Sequence, residues 1–442
     1  MGLRGASVLV VGAGLAGLAA ARDLLAKGAD VTVIDGRDRV GGRVWTIRDG
    51  FSDQQHGEAG GDMIDEAQTE IRALAEDLGL KLTRILRQGF SGVRPDASGR
   101  PRIVRHGVER GWGRLGKALE PLIHRYQLAE QRWDSPISSG FGRRSVADWL
   151  NDIKADEELR STATALRGFF LADPDELSLL ALVDQFASDE GPPASKMYRL
   201  EGGNDRLANA LAKPLGDRLH LKTELVAISQ RGRGVRANVR DASGASTITC
   251  DYLLIAIPPT VLRRIPITPG LPPQQHDAIT GLKLGRATKT LLQFPKRFWR
   301  KLGRGRAFGS ALPFGAVWEA NEEQRGQPGI LALLAGGGAS DATQELVVKN
   351  GMAALANELD WLGSDRGELI GARQINWTSD PWARGGYAFF HAGFDPSLRA
   401  WLARPCGRLY FAGEHTSIRW QGYMNGAVES GRRAAEEIAS DA

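Results

Sequence analysis

Three glycines near the N-terminus stand in the run Gly12-Ala13-Gly14-Leu15-Ala16-Gly17, and an acid, Asp35, follows. These types at this spacing suit one task, which is holding phosphates. Gly12 permits a tight turn, Gly14 lets the backbone approach a pyrophosphate, and Gly17 lets a helix pack closely on a strand. With Leu15 and Ala16 the helix start offers free N–H groups and a partial positive charge. Asp35 would accept hydrogen bonds from ribose hydroxyls. A second cluster follows at once, Gly36-Arg37-Asp38-Arg39-Val40-Gly41-Gly42-Arg43. The paired Gly41 and Gly42, with Gly36, Arg37 and Arg43 around them, would set amides and guanidinium groups against the same pyrophosphate from its other side. That second grip favours a flavin dinucleotide over a nicotinamide one.

The elements that must position these groups are legible beside them. Ser7 to Val11 is a continuous apolar run suited to a buried parallel strand. An alanine- and leucine-rich helix to about Lys27 follows, with Gly28 where a C-cap glycine belongs. Asp30 to Ile34 then reads as a second strand ending at the acid. Strand, loop, helix, strand and acid in that order predict an α/β fold with a Rossmann-type dinucleotide unit. Gly336, Gly337 and Gly338 follow a strand-like run, Ile330 to Leu334, but lack the spacing and the acid. A separate nicotinamide site is therefore not expected, and reducing equivalents should come from the substrate.

A chain of 442 residues exceeds one ordinary core, so two or three domains are expected. Its 42% hydrophobic and 25% charged residues are those of a water-soluble globular protein. The net charge of +5 is small for this surface. The densest basic run, Lys296, Arg297, Arg300, Lys301, Arg304 and Arg306 with Phe298 and Trp299 between, reads as a solvated segment, not a nucleic-acid or membrane patch. Cys250 and Cys406 are far apart with no CxxC, which argues against a disulfide framework or a structural metal site. The apolar start breaks into glycines without a cleavage site, and no stretch has the composition of a membrane span. A cytoplasmic protein with no membrane partner is expected.

These motifs resemble the flavin amine oxidase family over nearly the whole chain. Beyond the opening unit, the segment Glu58-Ala59-Gly60-Gly61-Asp62-Met63-Ile64 resembles the family's stretch beside the flavin ring. Leu200-Glu201-Gly202-Gly203-Asn204 resembles its segment returning to the FAD domain, and Glu224 to Ile228 the strand whose valine backbone, here at Val226, meets the adenine. The C-terminal match is the most specific: Gly407 to Thr416, containing Gly413 and Glu414, precedes Trp420-Gln421-Gly422-Tyr423-Met424-Asn425-Gly426-Ala427. It reads as a buried strand, a turn and a helix entered at Gly426, its N-terminus aimed at the flavin.

The resemblance implies a Rossmann-type FAD-binding domain, over about 1–82, 200–284 and 385–442, and a mixed α+β substrate domain over 83–199 and 285–384. Lys289 matches the family's lysine that holds a water near the flavin, and burial would lower its pKa. Trp377 to Tyr387 resembles the segment at the dimethylbenzene edge. Gly386 stands where monoamine oxidases carry the flavin on a cysteine, so non-covalent FAD is implied. Tyr387 and Tyr423 match the aromatic pair that sandwiches the amine, and Trp420 would back them. His56 is read as a packing residue. The implied reaction oxidises an amine to an imine, which hydrolyses to an aldehyde or ketone, while O2 becomes H2O2; a homodimer is left open. An L-amino acid oxidase, with Arg384 or Arg94 for the carboxylate, and a flavin desaturase or protoporphyrinogen-type oxidase are the alternatives.

Overall fold

The computed structural model describes every residue except 1–2, 96–99, 105–106, 189–195, 233, 301–306, 311, 313 and 364. The opening unit forms as predicted, with strand Ser7–Val11, helix Leu15–Ala26 and strand Asp30–Ile34. Gly28 closes the helix at φ +87°. Both strands are buried because their parallel sheet carries structure on each face. The sheet has five strands in the order Leu219–His220, Asp30–Ile34, Ser7–Val11, Tyr252–Ile255 and Leu409–Phe411, all parallel. Its strands come from both ends and the middle of the chain. The first helix packs on the last one, Met424–Ser440, at very close range. A Cβ on Gly431 would stand 2.2 Å from the Ala16 carbonyl oxygen, so only glycine allows this contact.

Beside this sheet lies an antiparallel hairpin set, Glu224–Arg231, Gly234–Asp241 and Gly244–Cys250. The middle strand alternates buried and exposed residues, as a strand with one face on a core must.

A second large sheet has seven strands, in the order Gly371–Asn376, Ala287–Phe294, Gly329–Gly336, Ala316–Glu319, Ala307–Ser310, Phe90–Pro95 and Pro101–Val104. Helices between residues 107 and 188 pack into their own apolar cluster around Leu115, Trp149 and Leu179. Ala287–Phe294 is buried at every position because strands flank it on both sides. Lys289 thus sits inside the sheet, paired with Leu334 and Ile375.

Two sequence expectations shift. The sequence predicts a helix over Glu345 to Trp361; the helix formed begins earlier and ends sooner, at Gly338–Asn357, and breaks at Gly351 with φ +78°. Asp173 accepts the Gly338 N–H at 2.6 Å and so supplies a cap from a distant segment. The basic run is also less solvated than expected. Arg297 meets Glu319 at 2.8 Å, and the Trp299 indole donates to the same carboxylate at 3.0 Å. Arg300 pairs with it as well, and Lys296 pairs with Asp365. Glu319 is fully buried, so Arg297 and Trp299 join a core, while Lys296 and Asp365 form a surface pair. Lys301, Arg304 and Arg306 lie outside the described residues. Among the described residues, no helix is long and apolar enough to cross a membrane, and no cluster of potential metal ligands occurs.

Candidate active site

A cleft runs across the C-terminal edge of the parallel sheet. Its floor is the glycine loop. Gly12 has φ +109°, and a Cβ there would stand 2.6 Å from the Ala256 carbonyl oxygen. Gly17 lies beneath, where a Cβ would stand 1.9 Å from Gly12 O. Gly14 differs: a Cβ there meets nothing within 4 Å, although the residue lines the cleft. The packing thus needs Gly12 and Gly17, whereas the space over Gly14 is left open. That space, framed by backbone amides and a helix start, fits a pyrophosphate.

Gly41 and Gly42 face the loop as predicted. The Gly41 N–H donates to the Ala13 carbonyl at 2.8 Å, and Gly42 takes φ +56°. Asp35 sits at the edge, its carboxylate accepting the N–H groups of Ala13 at 2.7 Å and Arg37 at 2.8 Å. Burial pushes its carboxyl up from the ordinary range. Arg37 forms a two-pronged pair with Asp380 at 2.9 and 2.6 Å. A Cβ on Gly36 would stand 2.7 Å from the Trp382 ring, so that tryptophan closes over the loop. Leu15, Ala16, Gly36, Arg37, Arg43 and Gly61 all line the cleft.

The far end is built from the C-terminal segment. Gly413, Glu414, Gly422, Tyr423, Met424 and Ala427 line it, with Gly386 and Tyr387 opposite. The last helix starts at Met424, two residues before the predicted Gly426, with Tyr423 as its cap residue. Tyr423 packs edge-on against Trp420 at 5.8 Å and Phe169 at 6.4 Å. The Tyr387 hydroxyl donates to the Phe169 carbonyl at 2.6 Å. Gly422 separates the two tyrosines: a Cβ there would stand 3.3 Å from the Tyr387 ring.

Other predicted residues stand behind the wall. Trp377 is buried, donates to Ala59 O at 2.9 Å and backs Gly60. Met63 packs with the apolar cluster around Trp318 and Leu291. Asp62 and Lys289 face each other at 2.8 Å, away from the cleft lining. Val226 turns its side chain outward at 39% exposure, while its neighbours Glu224 and Leu225 line the cleft. His56 is partly buried, and burial lowers its pKa. Sequence reasoning missed Asp380, Trp382, Arg199 and Trp318. Asp380 and Trp382 were inside a recognised segment, and only their contacts with Arg37 and Gly36 reveal a role.

The chain matches the family model for flavin containing amine oxidoreductase over residues 15–439. It belongs to that family. The oxidoreductase is therefore flavin-dependent and oxidises amines. It is 29% identical to AofH of Mycobacterium tuberculosis, provisionally assigned as a flavin-containing monoamine oxidase, over 98% of this chain and 96% of that one. Among solved structures it is similar to cyclohexylamine oxidase from Brevibacterium oxydans IH-35A, with TM-score 0.86, 25% identity and 99% of each chain covered. It is also similar to wild-type putrescine oxidase bound to putrescine, with TM-score 0.84 and 26% identity over 98% of this chain and 99% of that one. The likeness to these structures shows an α/β fold, in agreement with the helices and the two large sheets.

Proposed function

We propose that the protein binds FAD without a covalent link and oxidises a small amine at the carbon bearing nitrogen. One observation carries this reading. A single cleft joins a dinucleotide end, at Asp35 and the open space over Gly14, to an aromatic end at Tyr387 and Tyr423. Gly386 has no side chain with which to hold a flavin covalently. The residues about 1–82, 200–284 and 385–442 would form the FAD domain, and 83–199 with 285–384 the substrate domain.

The bound flavin would supply the acceptor for a hydride equivalent from the substrate carbon. The chain's own residues would bind and orient. Arg37, Arg43 and the loop amides would hold phosphate charge. The faces of Tyr387 and Tyr423 would orient the amine and exclude water, with Trp420 fixing Tyr423 from behind. Burial raises the Tyr387 hydroxyl, so it stays neutral and acts as a donor to Phe169. The imine product would take up water to give an aldehyde or ketone, and O2 would accept the electrons and leave as H2O2.

An amino acid substrate needs a cation for its carboxylate. Arg384 is exposed at φ +54°, on the surface, and the Arg94 side chain lies outside the described residues. The exposed position of Arg384 supports an amine over an amino acid. The two cysteines are unpaired, which supports a reducing cytoplasm. Anaerobic mixing with monoamines, diamines and amino acids, followed at the flavin absorbance, tests the reading. Bleaching by an amine is expected, and no bleaching by any amine would overturn it.

A further inference from the structure

Lys289 does not stand alone in its pocket. Its Nζ donates to Asp62 Oδ2 at 2.8 Å and to the Gly60 carbonyl at 3.1 Å. Both side chains are almost fully buried. The same carboxylate accepts the Trp318 indole N–H at 2.9 Å and the Arg199 guanidinium. Arg199 is anchored in turn to the Ala320 carbonyl at 2.6 Å and to Glu323 at 3.1 Å. Donors on three separate strands therefore fix Asp62, and it cannot swing away from the lysine.

The ion pairs around Asp62 balance with Lys289 as an ammonium. Lys289 and Arg199 face Asp62 and Glu323, two cations against two anions. Glu58 is the remaining acid close by, accepting from Thr46 at 2.9 Å and from the Asn204 N–H at 2.9 Å. Burial and the neighbouring Asp62 push its carboxyl up to about 8, so it is neutral at pH 7. Burial also draws the Lys289 ammonium below its ordinary value, and the Asp62 carboxylate opposes that fall. Were Lys289 neutral, the cluster would hold an uncompensated buried anion, a costly state.

We propose that Asp62 is a positioning residue that holds Lys289 as a fixed ammonium, so that the lysine donates hydrogen bonds and does not act as a base. This rests on the reading of the cleft as the flavin site. An ammonium has three N–H groups and no acceptor. Asp62 and Gly60 take two, and the ammonium also lies 5.0 Å from the centre of the Trp318 ring. Asp62 thereby selects between two roles open to a buried lysine.

The test follows the 13Cε resonance of Lys289 in lysine-labelled, flavin-containing protein, assigned by its loss in Lys289→Met. The wild type is expected to keep the ammonium signal through pH 7.5. In Asp62→Asn the lysine should titrate to the amine at least one pH unit lower, and the pH profile of anaerobic flavin reduction should shift with it. A neutral amine at pH 7 in the wild type, or an unmoved titration in Asp62→Asn, overturns the proposal. If Asp62→Asn does not fold, the wild-type titration alone decides. Unchanged flavin reduction in Lys289→Met would defeat the placement of Lys289 at the flavin, a failure separate from that of the Asp62 link.

Discussion

Arg43 and Glu414, 371 residues apart in the chain, meet at 2.9 Å on the wall of the cleft. The Glu414 carboxylate also accepts the N–H groups of Gly422 at 2.9 Å and Ala388 at 3.2 Å, while Arg43 donates to the Gly386 carbonyl at 2.6 Å. One buried acid thus clamps the N-terminal unit to both tyrosine-bearing segments.

Removing that acid leaves a guanidinium and two amides without their acceptor. Glu414→Ala is expected to cost about 3 kcal/mol, near the low end for a broken buried pair because Arg43 is partly exposed. The flavin-to-protein absorbance ratio should fall with it, and Glu414→Gln should lie between. Chemical denaturation and the spectrum of the purified protein check both effects.

Gly14 and Gly17 should separate binding from folding. Gly17→Ala drives a Cβ against the Gly12 carbonyl at 1.9 Å and should destabilise the fold by about 1–3 kcal/mol or more. Gly14 has φ −75°, which alanine adopts freely, and open space beyond it. Gly14→Ala should melt like the wild type and bind flavin at least tenfold more weakly. Wild-type flavin affinity in Gly14→Ala would remove the pyrophosphate from this position.

The tyrosines are expected to respond differently. Tyr387→Phe keeps its ring and loses the bond to Phe169, worth about 1 kcal/mol. Its kcat/KM should fall several-fold. Tyr423→Ala removes a face that Trp420 and Phe169 hold in place, and a loss of ten- to a hundredfold is expected. Steady-state kinetics on one good amine compares them.

Glu58 should make stability depend on pH. Its carboxyl is raised from 4.5 to about 8 in the fold, chiefly by burial. The folded state therefore holds a proton that the unfolded chain has lost. Stability from this group is full below about pH 4.5 and declines as pH rises through about 8. At about 1.4 kcal/mol per unit, the swing is capped near 5 kcal/mol. Glu58→Gln should gain on the wild type in thermal melts as the buffer moves from pH 5 to pH 9. A constant difference across that range would show that Glu58 is already ionised.

Much of the site could be read from the chain because its parts are local. A glycine loop, its strand and its helix span a few dozen residues, and each residue's task follows from backbone geometry that proximity enforces. The predicted Ser7–Val11 and Asp30–Ile34 strands form with the same bounds. Leu409 to Ala427 is equally local, with strand, turn and helix consecutive, although the helix starts at Met424 and not Gly426. Helix ends were less legible. The helix at Gly338–Asn357 starts early because Asp173, 165 residues away, caps it.

Local sequence thus pointed to a dinucleotide site at Gly12, Gly14 and Gly17, and the family resemblance pointed to Lys289, Tyr387 and Tyr423. Sequence could not say what surrounds those side chains, since burial and charge pairing are set by residues hundreds of positions apart. Val226 faces outward at a register shift between Leu225 and Ala227, where it has no partner on the neighbouring strand. Asp62 reads in sequence as a flavin neighbour, and its pairing with Lys289 and Arg199 is visible only in the fold. Tertiary packing alone decided that relationship, because an ion pair's partner and its proton depend on how deeply the fold removes both from water.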